Sequence, residues 1–362
     1  MRYLFLEPFF GGSHRDFAEG LIAHSRHRID LLTLPAHFWK WRMRGAALHF
    51  AKKAPPLDAY DGLVVTDLMS LADFKALRAP GFPPTLVYFH ENQLTYPLAP
   101  GEGMDYHFGF TNITTALAAD RILFNSRTQF DAFFDGLPPF LNMMPDYGPN
   151  WVTASIRQKS HVLYPGCRFP SHIDPTPNAP DAPPLIIWNH RWEFDKDPDE
   201  FFRAIGKLHD DNLDFRIALL GENFQAVPKA FIAAKERYGS RIVQYGYVKS
   251  REEYTEWLRR GAFVISTAIQ ENFGISVVEA MRFGCVPLLP HRLSYPEILP
   301  MDFHAACLYH DTEDLVEKLS AMVRTFPRPP VDREQLARHM SRYAWEERIR
   351  FYDDEFERMA LA

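Results

Sequence analysis

Two rounds of one alternation constrain this chain more than any other feature. Short apolar runs at Tyr3–Leu6, Ile29–Leu32, Gly62–Thr66, Thr85–Phe89 and Arg121–Phe124 are separated by amphipathic segments at Phe17–Ala23, Leu71–Leu77, Thr111–Ala118 and Thr128–Phe134. The pattern restarts at Leu185–Trp188 and continues through Phe215–Leu220, Ile242–Tyr245, Phe263–Ser266 and Val286–Leu289, with helical spacing over Asp199–Leu208, Pro228–Tyr238, Glu252–Arg259 and Ile275–Phe283. Strands buried on both faces read as unbroken apolar runs, and parallel neighbours need crossover helices. The chain is therefore predicted to be α/β, with two Rossmann-like doubly wound domains. Between the rounds lies Pro165–Pro184, dense in proline and without apolar periodicity, which predicts a semi-rigid linker. The expected organisation is a first domain over 1–165, a linker over 166–184, a second domain over 185–331 and helices over 332–362 that cross back to the first domain.

Composition narrows the class. With 362 residues, 46% hydrophobic and 24% charged, the chain is neither disordered nor fibrous. A net charge of -6 argues against a generic coat for polyanions, although a local basic face survives such a total. Cys167, Cys285 and Cys307 contain no Cys-x-x-Cys pair, against both a disulfide framework and a thiolate zinc site. No stretch approaches the roughly 20 apolar residues of a membrane span, and the expected location is cytoplasmic.

Open sheets bind ligands at the carboxyl ends of their strands, so the site is expected in the cleft between the two domains. The segment Gln270–Pro290 runs from a strand into a helix that opens with Phe273, Gly274 and Ile275, and Glu279 stands eight residues after Glu271. Unbonded amides at such a helix start attract a diphosphate, and Gly274 permits close approach. Glu271 can accept from sugar hydroxyls and Glu279 from a ribose diol. Two glutamates that merely complement the helix dipole are the plainer reading of those positions alone. On the loop after Leu185–Trp188, Arg191 and Lys196 are spaced to clamp a diphosphate, or else form a solvated charged loop. In the first domain, Gly11 and Gly12 follow the first strand, and Gly12, Ser13 and His14 are cleft candidates. His90 ends a strand and is followed by Glu91, Asn92 and Gln93; position 94 is Leu, so this is not a His-Glu-x-x-His zinc motif.

The Glu271-x7-Glu279 spacing, the FGI helix start and the EAMRFGCVPLL continuation resemble the donor signature of retaining glycosyltransferases of the GT4 type, which adopt the GT-B fold. The resemblance implies Glu271 on the donor sugar, Glu279 on the nucleotide ribose, Arg191 and Lys196 on the diphosphate and His90 beside the transferred sugar. It also implies no catalytic metal, although Asp195-x-Asp197 superficially resembles a metal-binding pair. HENQLTYP, together with EPFFGGSH and Met104–Ser126, resembles the tRNA-queuosine α-mannosyltransferase family. That second resemblance implies transfer of mannose from GDP-mannose to the cyclopentenediol of queuosine in tRNA-Asp, with Asp105, His107 and Asn112, along with Ser13, His14, Glu91, Asn92 and Gln93, on the acceptor side or structural. An RNA acceptor needs a basic aromatic surface, and Trp39, Lys40, Arg42 and Arg44 in HFWKWRMRG are candidates, with inward-packed tryptophans as the other reading. Three alternatives stay open: a GT4 enzyme with a lipid or polysaccharide acceptor, a nucleotide-sugar epimerase, and a non-catalytic nucleotide-sugar or RNA binding module.

Overall fold

A computed structural model describes residues 1–99, 101–170, 182–221 and 227–361. It holds two compact units, Met1–Arg168 with Tyr343–Ala362, and Phe169–Arg342. The first contains β1 (Arg2–Phe10), β2 (Arg28–Pro35), β3 (Gly62–Thr66), β4 (Thr85–Phe89), β5 (Arg121–Phe124) and β6 (Ser160–Val162), in the order β2-β1-β3-β4-β5-β6. The second contains β7 (Leu185–Trp188), β8 (Arg216–Leu219), β9 (Ile242–Tyr245), β10 (Phe263–Ile265), β11 (Val286–Pro290) and β12 (Leu308–Tyr309), in the order β12-β11-β10-β7-β8-β9. All these pairings are parallel.

Strand period two explains the layering of the first unit. Leu4, Leu6, Leu63, Val65, Val87 and Phe89 pack with Phe50, Phe74 and Phe133 on one face of the sheet. Their neighbours Tyr3, Phe5, Val64, Leu86 and Tyr88 point to the other face, against Phe17, Trp345, Tyr352 and Phe356. Trp345 fits there because Gly20 and Gly166 border its ring; a Cβ on either would overlap the indole.

The strand order fixes where ligands can bind. The direction of winding reverses between β1 and β3 in the first sheet and between β7 and β10 in the second, and the carboxyl ends at such reversals leave an open crevice.

Several boundaries differ from the sequence reading. The terminal segment does not act as one block from residue 332. The helix Arg333–Met340 packs on Ile275–Arg282 in the second unit, while Trp345–Leu361 belongs to the first. Residues 166–168 also stay with the first unit, where the Cys167 N–H donates to the Tyr343 carbonyl at 2.6 Å. Most of the expected linker, 171–181, lies outside the described residues. The edge strands β6 and β12 were not anticipated, being only three and two residues long.

Candidate active site

In the second unit, β7 and β10 deliver the chemistry. Lys196 follows β7 in a short turn and is 7% exposed. Its Nζ lies 3.2 Å from Asp195 Oδ2 and 3.3 Å from Glu271 Oε2, and donates to the Gln270 carbonyl at 2.6 Å. The turn is locked from below by Thr267 Oγ1, which donates to the carbonyls of Lys196 and Asp197, both at 2.9 Å. Asp197 has a left-handed φ of 46° and caps the helix Pro198–Asp210 by accepting from the Glu200 N–H. Both acids of the Asp195-x-Asp197 pair therefore have structural partners, one an ammonium and the other a helix start. Arg191 keeps 46% of its side chain exposed, 3.4 Å from Glu193.

Glu271 precedes Gly274, whose φ of 95° turns the chain into the helix Ile275–Arg282. That conformation is open to glycine and costly for other residues. On this helix Glu279 is nearly buried and engaged at both oxygens: Arg251 donates to Oε1 and the Tyr254 hydroxyl to Oε2 at 3.2 Å. Asn189, directly after β7, donates to Tyr254 Oη at 3.0 Å and to the Ser276 carbonyl at 2.7 Å, tying the strand end to the helix start. Burial and the nearby Lys196 charge pull His190 down to about 3, so it stays neutral. Gly221 approaches closely here, since a Cβ would overlap the His190 carbonyl.

In the first unit, acids and histidines converge at the ends of β1, β3 and β4. Glu7 Oε1 accepts from the Phe9 N–H at 2.8 Å and lies 3.2 Å from His14 Nδ1. The His14 and His90 rings lie 3.9 Å apart at 31°. Asp67 Oδ1 accepts from the His90 N–H at 2.7 Å, and Asn125 Nδ2 donates to the His90 carbonyl at 2.8 Å. Burial lowers the His14 pKa, but the Glu7 charge and hydrogen bond, with Asp67 and Glu91 behind, outweigh it and leave His14 above its ordinary value. Burial and then the His14 charge hold His90 well below its own. Burial, reinforced by Glu91, pushes Asp67 up to about 8. One imidazole is thus favoured as a cation and its neighbour is held neutral. The outer oxygens of Glu7 and Asp67 and Nε2 of His90 are buried with no hydrogen-bond partner. Buried polar atoms left this way mark a place for a polar ligand or water. Ligand atoms of Glu7, His14 and His90 lie within 4.8 Å of one another, close enough to consider an ion.

The chain matches two family models, "tRNA-queuosine alpha-mannosyltransferase N-terminal" over residues 2–167 and "Glycosyl transferases group 1" over 172–343. A tRNA-queuosine alpha-mannosyltransferase from Drosophila melanogaster is 38% identical over 347 residues, 92% of this chain and 89% of that protein. The chain belongs to the tRNA-queuosine alpha-mannosyltransferase family. It is a glycosyltransferase. Its fold is that of Anabaena HepE in complex with UDP and glucose (TM-score 0.67, 14% identity, 99% of this chain and 100% of that one). The catalytic domain of starch synthase IV from Arabidopsis thaliana, bound to ADP and acarbose, gives 0.68 at 11% identity, with both chains fully covered. These likenesses, with the two parallel sheets, make the fold GT-B.

Within this family member, Lys196, Glu271, Phe273, Gly274 and Ile275 form one neighbourhood, with Arg191 on the same loop as Lys196. His14 and His90 meet in another, and Gly12, at φ 49°, and Ser13 open the helix that carries His14. Other candidates hold the backbone. Asn92 Oδ1 accepts from the Leu94 and Thr95 N–H groups, and Asn112 bridges the Gln93 N–H and the Asp67 carbonyl. Glu91 accepts from Gln93 Nε2 at 2.9 Å. Asp105 caps the helix Tyr106–Ala118, with His107 exposed on its first turn. Sequence reasoning missed Glu7, Asp67, Asn189, Arg251 and Tyr254. Lone acids and a tyrosine carry no motif; only Glu7 was findable, as the single acid inside an apolar first strand.

Proposed function

We propose that the chain moves mannose from GDP-mannose to the cyclopentenediol of queuosine in tRNA-Asp, with retention at the anomeric carbon and without a metal. The observation that carries the donor half is Lys196, nearly buried and held against Glu271 at the carboxyl end where the second sheet reverses. A buried ammonium beside a sugar-binding carboxylate and a glycine-opened helix start suits a sugar diphosphate: cation and amides take the phosphate charge, and Glu271 takes hydroxyls. Glu279 receives the ribose diol after Arg251 gives way.

In the transfer, an acceptor oxygen bonds the anomeric carbon on the face from which the phosphate departs. The C–O bond to phosphate breaks with its electron pair on the nucleotide, and that phosphate takes the acceptor proton. Arg191 and Lys196 stabilise the developing charge. His90, kept neutral, offers a hydrogen bond to the sugar without adding a positive charge beside an oxocarbenium-like centre. His14, beside His90, faces the incoming hydroxyl, while Asn92 and Asn112 hold the backbone around it. The name of the Drosophila melanogaster relative supports the acceptor and the sugar.

Competition between labelled GDP-mannose and UDP-glucose for transfer to queuosine-containing tRNA tests the donor. The reading expects mannose to enter and glucose to be excluded, and Arg191→Ala to lower kcat/KM by about 10²-fold or more. Because Arg191 is half exposed, the variant should keep its fold. Equal use of both donors, or full activity in Arg191→Ala, contradicts the assignment.

A further inference from the structure

We propose that the start and outer stripe of the helix Trp39–Lys53 form a docking surface for a single-stranded RNA loop, with Phe38 and Trp41 as its stacking platform. From Leu31 to Leu57 the chain has no Asp or Glu, while it carries Lys40, Arg42, Arg44, Lys52 and Lys53 with His37 and His49. In a protein whose total charge is -6, that is a local reversal of sign.

Two large rings stand in water within this stretch: Phe38 is 77% exposed and Trp41 75%. Phe38 also takes a left-handed φ of 56° at the helix start, a conformation unfavourable for a bulky residue. Trp41, Arg44, Leu48 and Lys52, at helical spacing of three and four, are all exposed on one stripe. Trp39 does something else. It packs 5.2 Å from Phe108 in a small cluster with Phe9, Met43 and Leu68, so of the two tryptophans it is the one packed inward, as the alternative sequence reading had it. Arg42 is partly engaged, donating twice to the Pro35 carbonyl, and Lys40 pairs with Glu102 at 3.3 Å. Arg44, Lys52 and Lys53 remain the principal phosphate contacts.

The anchoring cluster also places the surface. Leu68 follows Asp67, and the Phe9 ring lies 5.7 Å from that of His14, so the platform begins at the rim of the polar edge where the acceptor hydroxyl is expected. Cations for phosphates beside rings for bases suit an unstacked loop. Stacking is indifferent to sequence, while phosphate contacts are salt-dependent. An acidic protein would meet the charges and leave the exposed rings without a matching partner.

The inference rests on the tRNA reading above, and its test separates the two. Full-length protein is titrated with queuosine-containing tRNA at several salt concentrations, with GDP binding measured in parallel. Trp41→Ala should weaken tRNA binding about tenfold or more and Trp41→Phe should retain most of it. Arg44→Gln should flatten the dependence of log Kd on log salt by about 1. GDP affinity should stay at the wild-type value in all three. Wild-type tRNA affinity in Trp41→Ala overturns the surface while leaving the tRNA reading in place. A wild-type protein that binds no tRNA overturns both.

Discussion

At the residue scale, the two edges handle charge in opposite ways. Lys196 sits between Asp195 and Glu271, and Asp195 is buried, so removing the ammonium takes a cation away from a buried carboxyl group and disturbs folding as well as binding. Loss of activity in a Lys196 variant would therefore mix chemistry with folding, which is why Arg191 is the cleaner probe. On the other edge, Asp67 stays protonated up to about pH 8 through burial and the Glu91 charge. The unfolded chain releases that proton near pH 4, so between roughly pH 4 and 8 the folded state binds more protons and its stability falls as pH rises. Asp67→Asn keeps an acceptor for the His90 N–H and does not titrate. Denaturant unfolding should show the variant gaining on the wild type as pH rises from about 4 to 8, by on the order of 5 kcal/mol in all. A difference that is flat with pH would show that Asp67 ionises normally. Neither feature was visible in the sequence. DKD reads as a diphosphate clamp or a solvated charged loop, with nothing in it to show that Asp195 and Lys196 are buried, and nothing about Asp67 in VVTDL distinguishes it from a turn acid; only tertiary burial gives either its character.

At the scale of elements, the central strands were legible because burial on both faces forces them to be apolar: Gly62–Thr66, Thr85–Phe89, Arg121–Phe124 and Leu185–Trp188 fall where the runs predict. Ser160–Val162 and Leu308–Tyr309 were not, since edge pairing needs few apolar residues and is decided by the neighbouring strand. A helix start was read too late where the first turn is polar, as at Gly12–His24. The donor helix start is the element on which the site depends most. A Cβ on Gly274 would meet its neighbours no closer than 3.5 Å, so the cost of Gly274→Ala comes from its positive φ rather than from a clash. Thermal unfolding should register a loss of about 1–2 kcal/mol, accompanied by weaker GDP binding as the amides turn away. Unchanged stability and unchanged GDP affinity would mean that this turn does not shape the diphosphate site.

At the scale of the whole molecule, the chain visits its units in an order that sequence periodicity only partly revealed. The helix Trp345–Leu361 returns to the first unit and places Trp345, Tyr352, Phe356 and Met359 in the core on one face of that sheet. Aromatic spacing predicted a helix here; the split at 342 and 343 was hidden because Arg333–Met340 shows the same kind of amphipathic pattern. Each large side chain lost from such a core costs about 3–5 kcal/mol, against a total of roughly 5–15 kcal/mol for a domain. A chain ending at Arg342 should therefore lose the first unit's calorimetric transition and keep the second's, and two intact transitions would contradict the assignment of that helix. The acceptor identity belongs to this scale too, because it rests on the family that the full chain matches, on the polar edge of the first unit and on the cationic aromatic helix beside it. The most direct measurement is mass spectrometry of nucleosides released from tRNA after incubation with the protein and GDP-mannose. Queuosine should gain one hexose in tRNA-Asp, with no hexose on any nucleoside of tRNA lacking queuosine. Hexose on both tRNAs, or on neither, would contradict the account.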